Sequence, residues 1–178
     1  MKIQVIGLGV VGSSVANNLI IQGFDISELY LCDIDKNKLL GEFRDLSDAK
    51  RILGRDMKII PTHKPERDAD FHVICVGERF YLENMNELMP GNYDLVKVIL
   101  KRIKRGKILI VTNPADIITR LIKLRDYDAE CMGYILDDVR IGMGYNGKDI
   151  RLLKGFTNWG ISAEVLKFIK EDDLRVLA

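Results

Sequence analysis

Gly7-Leu8-Gly9-Val10-Val11-Gly12 lies between an apolar run and a helical pattern, and this placement constrains the fold more than any other feature of the chain. Lys2 to Ile6 carries Ile3, Val5 and Ile6, as a parallel strand buried on both faces does. After the glycines, Val15, Ala16, Leu19 and Ile20 recur at helical spacing, and Gly23 marks the stop. In a strand–turn–helix of this kind the free amides and the positive dipole end of the helix face the turn, where they take a pyrophosphate. The three glycines then serve a tight turn, a close backbone approach to the phosphates, and close helix–strand packing. Asp33 ends the next apolar run, where a carboxylate accepts hydrogen bonds from the adenosine ribose and repels a 2′-phosphate. These features predict a dinucleotide-binding half-domain that favours NAD over NADP.

The rest of the chain keeps the rhythm. Strand runs are expected at Ile3–Ile6, Leu29–Cys32, Met57–Ile60, Phe71–Val76 and Ile108–Thr112, with a short sixth at Ala129–Tyr134. Helical patterns cover Val11–Gln22, Asp35–Ala49, Asn92–Lys104 and Pro114–Leu124. Such alternation predicts an α/β, doubly wound parallel sheet, Rossmann-like, whose ligands sit beyond the carboxyl ends of the strands. Past residue 126 the pattern changes. Val139–Tyr145 and Ile150–Phe156 flank Asn146-Gly147 and read as a β-hairpin, followed by a helix at Ser162–Lys170 with Ser162 as its cap. The expected division is a dinucleotide-binding domain over 1–125 and a small appendage over 126–178.

Bulk composition narrows the function classes. The chain has 178 residues, 47% of them hydrophobic, and a net charge of +1. A nearly neutral chain gives no electrostatic reason to expect nucleic acid or an anionic membrane as partner, and no apolar stretch is long enough to span a bilayer. The basic residues Lys97, Lys101, Arg102, Lys104 and Arg105 sit opposite Val96, Val98, Ile99 and Ile103 and read as a solvated helix face. Cys32, Cys75 and Cys131 lie in apolar settings and read as reduced core thiols of a cytoplasmic protein. Asp137, Asp138, Asp172 and Asp173 lack ligand spacing, so no metal is expected.

The run Asp33-Ile34-Asp35-Lys36-Asn37-Lys38-Leu39-Leu40-Gly41-Glu42-Phe43-Arg44-Asp45-Leu46 resembles the lactate/malate dehydrogenase family, where the ribose-binding acid precedes a helix of the pattern K-L-x-G-E-x-x-D-L. Val73-Ile74-Cys75-Val76-Gly77 is similar to that family's fourth strand, and Thr112-Asn113-Pro114-Ala115-Asp116 to its S-N-P-V-D motif. The likeness is good over 1–124. It implies that Gly7, Gly9 and Gly12 form the phosphate turn, with Val10 and Val11 lending backbone contacts. Asp33 and Ile34 would flank the adenosine, Val76, Gly77 and Val111 would line the cofactor groove, and Asn113 would bond near the nicotinamide ribose or the substrate oxygen. The helix after Asp33 pairs with its copy in that family, and its stripe Leu39, Leu40, Phe43 and Leu46 therefore suggests a homodimer.

The family's catalytic half is only partly matched. Its substrate loop carries arginines that hold a carboxylate in a bidentate fork. Within Glu78–Gly91 only Arg79 remains, with Met85 where a second is expected. Leu136-Asp137-Asp138-Val139-Arg140 resembles the L-D-S-A-R segment, whose acid orients a catalytic histidine and whose arginine holds the substrate carboxylate. Hydride transfer from an alcohol carbon requires a general base, a role suited to histidine. The chain has only His63 and His72, and Asn146 of Gly144-Tyr145-Asn146-Gly147 stands where the family has its histidine. Most of the family's second domain has no counterpart in these 178 residues. Three readings stay open: an NAD(H)-binding protein without ordinary 2-hydroxy acid turnover, an NAD-dependent oxidoreductase with an atypical site built from Asn113, Arg79, Asp137 and Arg140, or a structural, partner-binding remnant. In the second reading the base would come from Tyr145, from a water held by Asp137, or from another subunit.

Overall fold

The computed structural model describes residues 1–22, 24–77, 85–144 and 157–176; for 85–89, 137, 140, 157 and 173–176 it describes the main chain only. Six strands form one all-parallel sheet: β1 (Lys2–Ile6), β2 (Glu28–Cys32), β3 (Lys58–Thr62), β4 (Phe71–Ile74), β5 (Lys107–Ile110) and β6 (Ala129–Cys131). Their spatial order is β3-β2-β1-β4-β5-β6. The order steps outward from β1 in both directions, so the carboxyl ends of β1 and β4 form the switch point at which doubly wound sheets bind ligands.

α1 (Val10–Ile21) and α2 (Lys36–Ile52) lie on one face, as right-handed crossovers require. On the other lie α3 (Met85–Leu100) and α4 (Ala115–Lys123). Those four helices leave the first face bare over β4 and β5. It is covered by the last described helix, α6 (Thr157–Val176), whose Ile161, Val165, Leu166 and Ile169 join Phe71, Val73, Leu109 and Val111 in one apolar core. α6 runs alongside α1. Near its amino end the Asn158 amide donates to Ser14 Oγ (2.8 Å), and near its other end Asp172 accepts from Lys107 Nζ (2.6 Å) at the foot of β5.

Three expectations change. Val139 to Gly142 is not a strand, because α5 (Tyr134–Gly142) occupies it; the hairpin's turn and second arm lie outside the described residues, as does Gly23. The reason is a cap from far along the chain: Glu164 of α6 accepts the amides of Gly133 (2.8 Å) and Leu136 (3.2 Å) and satisfies the amino end of α5. Ser162 caps nothing. It sits inside α6, fully buried, where its hydroxyl donates to Ser14 O (3.1 Å) and accepts from the Asn18 amide (2.8 Å). The segment read as a loop up to Gly91 is helical from Met85, with Pro90 inside α3. Among the described residues no helix is long and apolar enough to cross a membrane.

The edge strand β3 limits its own pairing. Lys58 N–H donates to Ser27 O and Thr62 O accepts from Asp33 N–H, which turns Ile59 and Pro61 to the open side. Proline has no N–H, so little of that edge can template another strand.

Candidate functional site

At the carboxyl end of β1 the chain turns at Gly7, whose φ is +88°, a region disfavoured for any side chain. A Cβ there would also lie 2.9 Å from the main chain of Cys75 and Val76. Gly12 is held more tightly, since its Cβ would stand 1.9 Å from Gly7 O. Gly9 differs: a Cβ there would meet nothing within 4 Å. The turn is therefore closed on its protein side at Gly7 and Gly12 and open at Gly9, the amino cap of α1, which has no side chain to satisfy the helix amides. Such an open cradle fits an anion.

The turn is gripped through the main chain of one buried residue, Leu8. Leu8 N–H donates to Asp33 Oδ2 at 2.8 Å, and the Ser13 hydroxyl lies 3.0 Å from Leu8 O and 2.7 Å from Glu42 Oε1 of α2. Asp33 Oδ1 accepts the Asp35 amide at 2.9 Å, and Lys38 Nζ stands 3.7 Å from Oδ2. An ionised carboxylate offers about four lone-pair positions, so the two amides leave roughly two for ribose hydroxyls. Near it Ile34 is 92% and Val10 75% exposed, two apolar side chains held in solvent. Val11 is half-buried.

Toward the other half of the sheet, Val76 is half-buried, Gly77 and Asn113 are exposed, and Val111 is buried in the core. Thr112 Oγ1 donates to Val76 O at 2.7 Å, joining the ends of β4 and β5. Asn92 of α3, 3% exposed, donates from Nδ2 to Asn113 O at 2.7 Å and stands beside Gly77. Sequence reasoning gave Asn92 no role. Its signal is a polar residue in register with the buried Val96, Leu100 and Ile103 of the same turn pattern. The peptide between Asn113 and Pro114 is cis.

Of the residues assigned to catalysis, the structure places Asn113 by its side chain's exposure at the end of β5, and Asp137 and Arg140 by main chain only, on α5. Arg79, Tyr145 and Asn146 lie outside the described residues.

Neither histidine stands beside Asn113 at the end of β5. His72 is fully buried in β4, with Nε2 2.9 Å from Arg105 O and Nδ1 3.1 Å from the Gln4 carboxamide. A neutral ring has one N–H, which Arg105 O takes; Nδ1 is then an acceptor facing Gln4 Oε1, and turning the carboxamide over would bring to it the NH2 that is without a partner among the described residues. His63 is exposed at the end of β3, where its Nδ1–H donates to Asp33 O at 3.2 Å. Strands lie about 4.8 Å apart, so the four steps from β3 to β5 separate His63 from Asn113 by roughly 19 Å. A general base must stand within about 3 Å of its proton.

Burial pushes the His72 pKa below 6.5, and this carries a stability consequence. The unfolded ring binds a proton that the folded ring refuses, so stability is complete above pH ~6.5 and declines as pH falls through it. Lowering pH from about 7.5 to 5.5 should lower the urea midpoint; equal midpoints would contradict a buried neutral ring. Burial likewise pushes the thiols of Cys32 and Cys75 up to about 12 and that of Cys131 to about 11, so all three are protonated, poor nucleophiles.

A doubly wound sheet with a glycine cradle at its switch point and a carboxylate at the end of β2 defines a dinucleotide-binding protein. Comparison with known proteins gives the family. The model of the lactate/malate dehydrogenase NAD-binding domain matches residues 1–128. The chain belongs to the lactate/malate dehydrogenase family through that domain, and NAD is the domain's cofactor. It is 31% identical over 149 residues to a probable L-lactate dehydrogenase of Schizosaccharomyces pombe, covering 79% of this chain and 45% of that one. To the L-lactate dehydrogenase of Bacillus velezensis it is 35% identical over 124 residues, covering 66% and 39%. The solved malate dehydrogenase of Salinibacter ruber superposes with a TM-score of 0.64 at 25% identity, over 77% of this chain and 46% of that one. The chain thus spans less than half the length of these relatives.

Proposed function

We propose that this chain holds NAD(H) at the carboxyl edge of its sheet and does not by itself carry out ordinary 2-hydroxy acid oxidation. The observation that supports this most is the position of the two histidines: one is locked in the sheet, the other stands beside the adenosine-side carboxylate. In this reading the amides around Gly7, Gly9, Val10, Val11 and Gly12 take the pyrophosphate, Asp33 takes the ribose, and Ile34 covers the adenine. Val76, Gly77 and Asn113 receive the nicotinamide half, with Val111 beneath. When bound, the nicotinamide would supply or accept a hydride. A second reading, a dehydrogenase of 2-oxo acids using Asn113, Arg79, Asp137 and Arg140, draws support from the Glu164 cap, which fixes the amino end of the helix bearing Asp137 and Arg140. It requires NADH bound to the protein to be oxidised by some member of a panel of 2-oxo acids. Self-association through α2 would rely on Leu40, exposed where Leu39 and Leu46 are buried. A cytoplasmic setting belongs to the same proposal and suits the three reduced thiols.

Asp33→Ala tests the placement of the cofactor. It removes the ribose acceptor, whose charge-assisted bonds contribute about 1.5–3 kcal/mol each, and should weaken NADH at least tenfold by calorimetric titration. An unchanged affinity would put the adenosine elsewhere.

A further inference from the structure

We propose that Lys38 sets how sharply this chain separates NAD(H) from its 2′-phosphorylated counterpart, by offsetting the charge of Asp33; the proposal rests on the dinucleotide reading above. An acid at the end of β2 ordinarily rejects a ribose 2′-phosphate because a free carboxylate faces it. Here the carboxylate is far from free. Its side chain is 11% exposed, and each oxygen already accepts a main-chain amide, from Leu8 at 2.8 Å and from Asp35 at 2.9 Å. The Lys38 ammonium stands 3.7 Å from Oδ2, too long for a hydrogen bond but close enough for direct ionic attraction.

The helix itself does not account for this lysine. Lys38 lies in the first turn of α2, where a cation opposes the helix dipole, and no acidic residue in that turn balances it. Lys36 shares the turn, and Lys64 follows His63, whose ring is bonded to the main chain of Asp33. The adenosine end therefore sets Asp33 and the cap Asp35 against Lys36, Lys38 and Lys64, with Lys38, among the described residues, the one in ionic contact with the discriminating carboxylate. A 2′-phosphate brought here meets a neutralised pair where a bare carboxylate would repel it.

The test is the ratio of NADPH to NADH dissociation constants, measured by nicotinamide fluorescence for the wild type, Lys38→Gln and Lys38→Arg. Lys38 is partly exposed and contributes no core contact, so both variants keep the fold. Loss of the charge should widen the ratio about two- to fivefold, chiefly by weakening NADPH, and Arg should preserve it. High salt should narrow the difference between wild type and Lys38→Gln. An unchanged ratio in Lys38→Gln overturns the proposal, and so does equal weakening of both nucleotides, which would place Lys38 on the part they share. Failure of the wild type to bind NADH overturns the dinucleotide reading itself, an outcome seen before either variant is compared.

Discussion

Gly9→Ala should melt within about 3 °C of the wild type yet bind NADH about two to four orders of magnitude more weakly. Gly9 has φ −67° and ψ −174°, which alanine adopts freely, and its Cβ would point into open space. Exchanging a glycine amino cap for alanine costs up to about 1 kcal/mol, offset in part by a less flexible unfolded chain. The same methyl stands where the pyrophosphate must approach, and two lost charge-assisted bonds would weaken binding by roughly 3–6 kcal/mol. Gly12→Ala should behave oppositely. Its Cβ would lie 1.9 Å from Gly7 O, a main-chain atom that cannot step aside, so the turn must deform at about 3 kcal/mol and Tm should fall by roughly 6–12 °C. Thermal melts beside NADH titrations separate the two. If both variants lost stability equally, Gly9 would not border an open cradle.

Removing residues 157–178 should abolish cooperative unfolding. Ile161, Val165, Leu166 and Ile169 are at most 9% exposed, and burying four such side chains contributes on the order of 6–12 kcal/mol, comparable to the whole stability of a domain. The deletion also uncovers Val73 and Leu109, cuts the Ser162 and Asn158 links to Ser14, and takes the Glu164 cap from α5. The shortened chain should bind a hydrophobic dye and melt without a sigmoidal transition. A sharp melt near the wild-type temperature would instead make α6 the appendage that its place in the sequence suggests.

The difference between those outcomes reflects what local pattern can carry. The glycine turn, the five main strands and the acid after β2 were legible because period and punctuation are local signals, and boundaries moved only by a residue or two. α5 was misread because Val139, Ile141 and Tyr145 alternate like a strand, while the carboxylate that caps the helix comes from Glu164. Ser162 looked like a cap because hydroxyls favour helix starts, yet two bonds to α1 hold it mid-helix. Val98, assigned to the apolar face of α3, is 62% exposed, since Val96, Leu100 and Ile103 fill the seam against the sheet. At the site, the motif pointed to Asp33 and contained Lys38 without giving it a role, while Asn92 lay outside it; the partners of both are reached only by folding.

The most direct test of the account is a titration of NADH into the purified chain, following nicotinamide emission excited through Trp159, the sole tryptophan. Trp159 is exposed at the amino end of α6, next to Asn158, which bonds Ser14 of α1, two residues past Gly12 of the cradle. The expected result is saturable energy transfer that is lost in Gly9→Ala and that survives the addition of 2-oxo acids. Absence of any saturable signal at millimolar NADH would contradict it.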